Sequence, residues 1–237
     1  MSMLRSCKPL TSLHVRFRRN IILNSFLRAL RTHGSSPRTL AIDYCTSRDN
    51  ETDTFHQLDF GELCRICPNV YFLGLLASAN ELNPDTWESA SEHFRFKLSS
   101  LTQMSGLRII HIRRSRYKDD ESDRSRQHIM RDLQKFCSAF FYYVVVHQAC
   151  SSLKAIVIGH NVDLRDEDFE LDSPYEEEVY CTQHCFVRDY ETEAGETSVV
   201  AVPVHASRLR KLLLGYDLLD YDPECESLTY LPGLTHF

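Results

Sequence analysis

No stretch of this sequence is apolar for long enough to cross a bilayer as a helix. The longest strongly apolar run, residues 136–146, falls well short of the ~18 to 20 residues a span requires, so a soluble chain with no membrane partner is expected. A secretory signal is not apparent. Local signatures of chemistry are missing as well: there is no phosphate loop, no H-E-x-x-H, no G-x-S-x-G elbow and no EF-hand loop. Acid is missing from one end, where residues 1–42 hold eight Arg or Lys and no Asp or Glu, whereas residues 161–178 hold nine acids against one Arg. Nine cysteines, an odd number without a recurring framework of spacings, point to reduced thiols in an intracellular protein. The formal net charge of -6 argues against a general nucleic-acid binder.

What is present is a core-forming composition, 43% hydrophobic, and a repeat. Residues 153–161, Leu-Lys-Ala-Ile-Val-Ile-Gly-His-Asn, fit the template L-x-x-L-x-L-x-x-N at every fixed position. The same register recurs at Leu10, Leu13 and Val15, then at Pro37, Leu40 and Ile42 with Cys45 at the turn. Val70, Leu73 and Leu75 follow with Ser78, and Leu107, Ile110 and Ile112 with Ser115. Cys7, Cys67 and Cys150 each stand three residues before a first template position. The spacings between first positions are 27, 33, 37 and 46 residues, longer than the ~20 to 29 of regular repeats, and helix-length connections explain the excess. The expected fold is therefore α/β: an irregular leucine-rich-repeat solenoid with parallel strands on the concave side and helices on the convex side.

Residues 1–161 form the expected array, residues 162–180 an acidic loop, and residues 181–237 a capping unit with a tail. Helices are expected after Asn20, near residues 54–66, from Asn83-Pro84 through Trp87, Phe94, Leu98 and Leu101, and over residues 125–149. In the last of these Ile129, Leu133, Phe136 and Phe140 face inward, and the β-branched and aromatic residues 140–146 leave a strand or a break open. The cap reads as two strands, residues 185–190 and 198–204, joined by a turn containing Ala194-Gly195, with Pro203 suited to an edge. A helix over residues 206–214 ends at Gly215.

Strand alternation decides which side chains face the open, concave surface. These are His14, Arg16, Asp43, Phe72, Leu76, Ile109, His111, Arg113 and Val157, with His160 at the rim. The middle of the row is apolar and its ends are charged, the anatomy of a protein interface. Being on the open side, Phe72 and Leu76 are expected to accept polar substitution, and Val157 to accept Asp where Ile156 does not. Other constellations are weaker. Cys64, Cys67, Cys181, His184 and Cys185 have zinc-ligand chemistry, but three repeats separate the two groups, so no metal or other cofactor is expected. Histidines at 56, 93, 128 and 147 fall on expected helices. Arg16, Arg18 and Arg19 around Phe17 are too few for a nucleic-acid site. No catalytic residue is assigned, and the rival enzyme reading places a site near His184, Cys185 and His205.

The chain resembles the leucine-rich-repeat portion of fungal F-box proteins from Leu10 to about Asp222. The resemblance rests on Cys67-Pro68-Asn69 leading into a repeat strand, on residues 153–161, and on the terminal Cys185-Phe186-Val187-Arg188, Val202-Pro203-Val204 and Ser207-Arg208-Leu209. It implies a substrate-receptor subunit of a cullin-RING ubiquitin ligase, in which an F-box docks on an adaptor while the repeats hold the target. An F-box lies upstream of the repeats and usually opens with Leu-Pro before a helix, whereas here the repeats begin at Leu10. The nine residues before it cannot form three helices, since an isolated helix needs ~12 to 15 residues to be even marginal. The chain as written is expected to bind a protein target, and the ligase adaptor only if an F-box stands upstream; a stand-alone scaffold is the alternative. A cytoplasmic or nuclear location follows. The acid-free residues 1–31 also fit a mitochondrial presequence, although the repeat register runs through them.

Overall fold

The computed structural model describes residues 9–18, 23–45, 60–77, 100–114, 126–146, 152–159, 184–205 and 209. Their elements alternate: β1 (Ser12–Arg18), α1 (Leu23–Leu30), β2 (Thr39–Cys45), α2 (Phe60–Ile66), β3 (Phe72–Ala77), a 3-10 turn (Leu101–Gln103), β4 (Ile109–Arg114), α3 (Arg126–Val146), β5 (Ala155–Ile158), β6 (His184–Glu193) and β7 (Glu196–Val204). The seven strands form one sheet in sequence order, β1 to β5 parallel and β5 to β7 antiparallel.

Pairing follows the register read from the sequence. Leu13, Leu40, Leu73, Ile110 and Ile156 lie side by side, and so do Val15, Ile42, Leu75, Ile112 and Ile158. Because alternate residues point to opposite faces, both rows are on the helix side, where they join Phe26, Leu27 and Leu30 of α1 and Leu63 of α2 in the main core. The first template positions Val70, Leu107 and Leu153 are buried in it too.

One backbone device repeats at each parallel junction. The Thr11 carbonyl accepts the N–H groups of Arg38 at 2.7 Å and Thr39 at 3.1 Å, and the Arg38 carbonyl those of Tyr71 at 2.8 Å and Phe72 at 3.3 Å. The Tyr71 carbonyl then takes Arg108 at 2.8 Å and Ile109 at 3.0 Å, and the Arg108 carbonyl takes Lys154 at 2.8 Å and Ala155 at 3.1 Å. Each acceptor stands one residue after a first template position and uses both lone pairs of one oxygen. The turns beside it are tied as well: Asn69 Nδ2 donates to the Ser35 carbonyl at 3.0 Å and Ser152 Oγ to the Leu107 carbonyl at 3.0 Å.

The helices form where apolar residues recur at helical spacing. Gly34, at φ 52°, accommodates the turn after α1 that a side chain would strain, and Pro68 follows α2, whose last turn is closed by Cys67 N–H donating to the Leu63 carbonyl. Arg31 and Glu62 pair across these two segments. Residues 140–146, which left a strand open, are helical to Val146: Leu133, Phe136, Cys137, Phe140, Phe141 and Val144 make one buried stripe, with Tyr142 and Val146 left exposed.

The C-terminal strands extend the sheet itself, β6 pairing with β5 through Ile156 and Phe186. Ala194 (φ 51°) and Gly195 (φ 89°) make the two-residue loop, both in the left-handed region that a type I′ hairpin requires. The hairpin packs on α3, which also closes the outer edge of β7: Ala201 N–H donates to Ser138 Oγ at 2.9 Å, and its carbonyl accepts Gln134 Nε2 at 2.9 Å. Ala201 therefore turns its backbone polar groups away from β6, and so, two residues on, does Pro203, which loses no ladder bond. The expected helix over residues 83–101 lies outside the described residues apart from its last two, and so does the helix over 206–214 apart from Leu209.

Candidate functional site

On the sheet face away from the helices the structure differs from the open surface expected. Phe72 (1% exposed), Ile109 (0%), His111 (2%) and Val157 (3%) are all buried there. They form a second, smaller core with Ala155, Cys185 and Leu209, edged by Tyr71, Val187 and Val204. Leu209, which lies beyond β7 in the chain, is fully buried in the same cluster. Polar substitution of Phe72, or Asp at Val157, would thus strike a core, and the expected tolerance of both is withdrawn.

His111 is held within this second core. Its Nε2 lies 2.9 Å from the Gly159 carbonyl, and because a carbonyl only accepts, Nε2 carries the proton. The bond joins β4 to the bend after β5, where Gly159 has φ 132°. Phe72 meets the imidazole edge-on at 6.3 Å. A buried polar ring with a satisfied donor fits a packing role at this position.

The remaining assigned residues are known by backbone register. His14 shares a row with Ala41, Gly74, His111 and Val157. Arg16 pairs with Asp43 and Leu76 with Arg113, which places these four toward the carboxyl ends of the parallel strands. His160 lies outside the described residues.

The residues of the rival enzyme reading are not poised for nucleophilic chemistry at the cysteine. Cys185 sits in the second core, and burial pushes its thiol up to about 12, the wrong direction for a nucleophile. Burial likewise pushes Cys67 up to about 12, and Cys64 Sγ donates to the Ser100 carbonyl at 3.2 Å. Among the described residues no three His, Cys, Asp or Glu side chains come together as metal ligands, and Cys181 lies outside them. No helix among the described residues is long and apolar enough to cross a membrane.

One feature was not legible in the sequence. A groove of about 640 Å³ opens between α3 and the hairpin, with Arg131, Gln134 and Lys135 on the helical wall and Asp189, Tyr190 and Glu191 on the strand wall. Its signal is only an i, i+4 pair of cations and an i, i+2 pair of carboxylates, patterns shared by many solvated faces. Compared with protein-family models, with curated proteins and with solved structures, the chain matches none.

Proposed function

We propose that this chain is a protein-interaction module: an irregular leucine-rich-repeat solenoid, akin to the substrate-binding repeats of an F-box subunit of a cullin-RING ubiquitin ligase. The observation that carries the reading is the repeated carbonyl at Thr11, Arg38, Tyr71 and Arg108, each accepting two N–H groups from the following unit. Connections of very different length deliver the chain to the same backbone geometry each time, which is how a stacked repeat behaves. Residues 1–161 are the array in this reading, and the strand pair from His184 to Val204 closes its end by hydrogen-bonding to β5.

Partner contact falls to Arg16, Asp43, Leu76 and Arg113, toward the carboxyl ends of the parallel strands, and to His14 and His160, while Phe72, Ile109, His111 and Val157 are buried. The test is affinity purification of the tagged chain beside a Leu76→Asp/Arg113→Glu variant. A protein recovered in stoichiometric amount with the parent chain and lost with the variant is the expected result. Recovery of nothing above an unrelated bait would sink the reading. Adaptor and cullin in the same precipitate support the ligase link, and a partner without them supports the stand-alone scaffold.

A further inference from the structure

The way α3 closes the edge of β7 leaves a groove of opposed charges beside it. Gln134 reaches the Ala201 carbonyl, and Ser138, one turn further on, meets the Ala201 N–H. The N–H of a strand residue lies toward the amino end of the strand, so α3 runs antiparallel to β7. Topology requires the same, since α3 returns from β4 to the parallel β5, and β7 runs in the direction of β5. Arg131 and Lys135 come next round the helix from Gln134 and Ser138, away from the buried stripe, and both are exposed. Val200 and Val202 flank Ala201, which belongs to the main core, so they face the other side of the sheet as a half-buried apolar floor. Asp189 pairs with Val200 and Glu191 with Ser198, which puts both carboxylates on that face too, across β7 from the cations. The groove they bound holds about 640 Å³, a volume usual for binding sites.

The two charged walls are also offset along the groove. Lys135, next to Gln134, is level with Ala201, and Arg131 lies one turn back, about two strand residues nearer Val204. Asp189 and Glu191 are level with Val200 and Ser198, toward the hairpin turn. The centres of the two pairs are therefore about three strand residues apart, ~10 Å, with the valines between them. Within each wall the charges repeat at nearly one spacing, ~6 Å for four residues of helix and ~7 Å for two residues of strand. Among the described residues no ion pair joins one wall to the other.

We propose that this groove is a docking site for an extended segment of a partner protein, one with acidic residues at one end and basic residues at the other. An extended chain gains ~3.3 Å per residue and turns successive side chains to opposite sides. Two acids at alternate positions facing α3, and two bases that begin on the next residue and face β6, reproduce both wall spacings and the offset between them. Glu-Val-Glu-Lys-Val-Lys is such a segment. Its contacts are made by side chains, because the Ala201 backbone groups are already taken by α3 and β7 adds no strand there. A nucleic acid carries negative charge throughout and would meet Asp189 and Glu191. A free amino acid has its two charges on one carbon and cannot span the offset. The surface is separate from Arg16, Asp43, Leu76 and Arg113, so either can stand without the other.

The test is anisotropy of fluorescein-labelled Glu-Val-Glu-Lys-Val-Lys with the full chain at 50 mM salt, beside an all-acidic and an all-basic hexapeptide with the same valines. The mixed peptide is expected to bind at least tenfold more tightly than either, since each of those meets like charge at one wall. Arg131→Glu/Lys135→Glu is expected to move the preference to the all-basic peptide. Asp189→Asn/Glu191→Lys, which keeps the acceptor for Tyr190 N–H, is expected to move it toward the all-acidic one. A damaged fold weakens binding without exchanging one preference for another. Arg131→Gln/Lys135→Gln is expected to lose the discrimination against the all-basic peptide, and it replaces the reversal if that variant is disturbed by circular dichroism. Arg28→Glu, on the exposed side of α1, is expected to rank the peptides as the parent does. No anisotropy change up to millimolar chain overturns the proposal, and so do equal binding of the three peptides and an unchanged ranking in the wall variants. An oligo-dT of six nucleotides bound more tightly than the mixed peptide overturns it in favour of nucleic acid. Binding that switches with the walls supports the groove even where affinity purification recovers no partner, so the two readings fail separately.

Discussion

Gly74 is the point at which the sheet can be tested most sharply. It pairs with Ala41 across β2 and β3, and a Cβ built on it would lie 3.0 Å from the Ala41 Cβ and 3.3 Å from the Ala41 Cα. Carbon atoms rest at about 3.5–4.0 Å, so Gly74→Ala must push apart two strands that are both held on their far sides, by β1 and β4. Overpacking of this kind costs ~1–3 kcal/mol, partly offset by ~0.4–1 kcal/mol from the stiffer unfolded chain. The net expectation is a loss of ~1–2 kcal/mol, against the gain that Gly→Ala gives at an unconstrained site. Ala41→Gly alone loses a buried methyl, ~0.8 kcal/mol, with a backbone-entropy cost of ~0.5–1 kcal/mol. Together the two changes should be less harmful than their sum by ~1–2 kcal/mol, because the methyl–methyl clash is gone while the Cα approach remains. Urea unfolding of all four proteins, with m-values checked for constancy, measures the cycle. If Gly74→Ala matches or exceeds the parent in stability, or the two effects add within ~0.5 kcal/mol, the register of β2 on β3 is wrong.

Ile156→Asp and Val157→Asp should both cost at least ~3 kcal/mol by the same assay, since each places a carboxylate in a core, one on each face of β5; a tolerated Val157→Asp would mean that the second core opens in solution. Gln134→Ala and Ser138→Ala should each lose ~1–3 kcal/mol by leaving an Ala201 backbone group unpaired, and unchanged melting in both would remove α3 from the β7 edge. Cys185 keeps its proton in the folded state up to about 12 against the ordinary 9.0, so its contribution to stability is whole below pH 9 and is lost as pH rises toward 12. Between pH 8.5 and 10.5 the parent should lose about 2 kcal/mol more than Cys185→Ala, and parallel pH profiles for the two would show that the thiol is open to water.

By itself the sequence determined one face of the sheet. Template residues such as Leu40, Leu73, Ile110 and Ile156 recur in a local pattern, and a strand exposes its period-two alternation to any reader because neighbouring side chains must point to opposite sides. The same pattern named the hairpin, since Ala194-Gly195 between two alternating runs suits a tight turn. It started β6 within one residue but ended it at residue 190, three short of Glu193. The state of the opposite face was decided only by the tertiary structure. Phe72, Ile109, His111 and Val157 read as a surface because nothing near them in sequence marks them as buried; Leu209, distant from all four in the chain, belongs to the same buried cluster as Phe72, Ile109 and Val157. Burial by a remote segment leaves no local periodicity, and the pairing of His111 with Gly159 leaves none either.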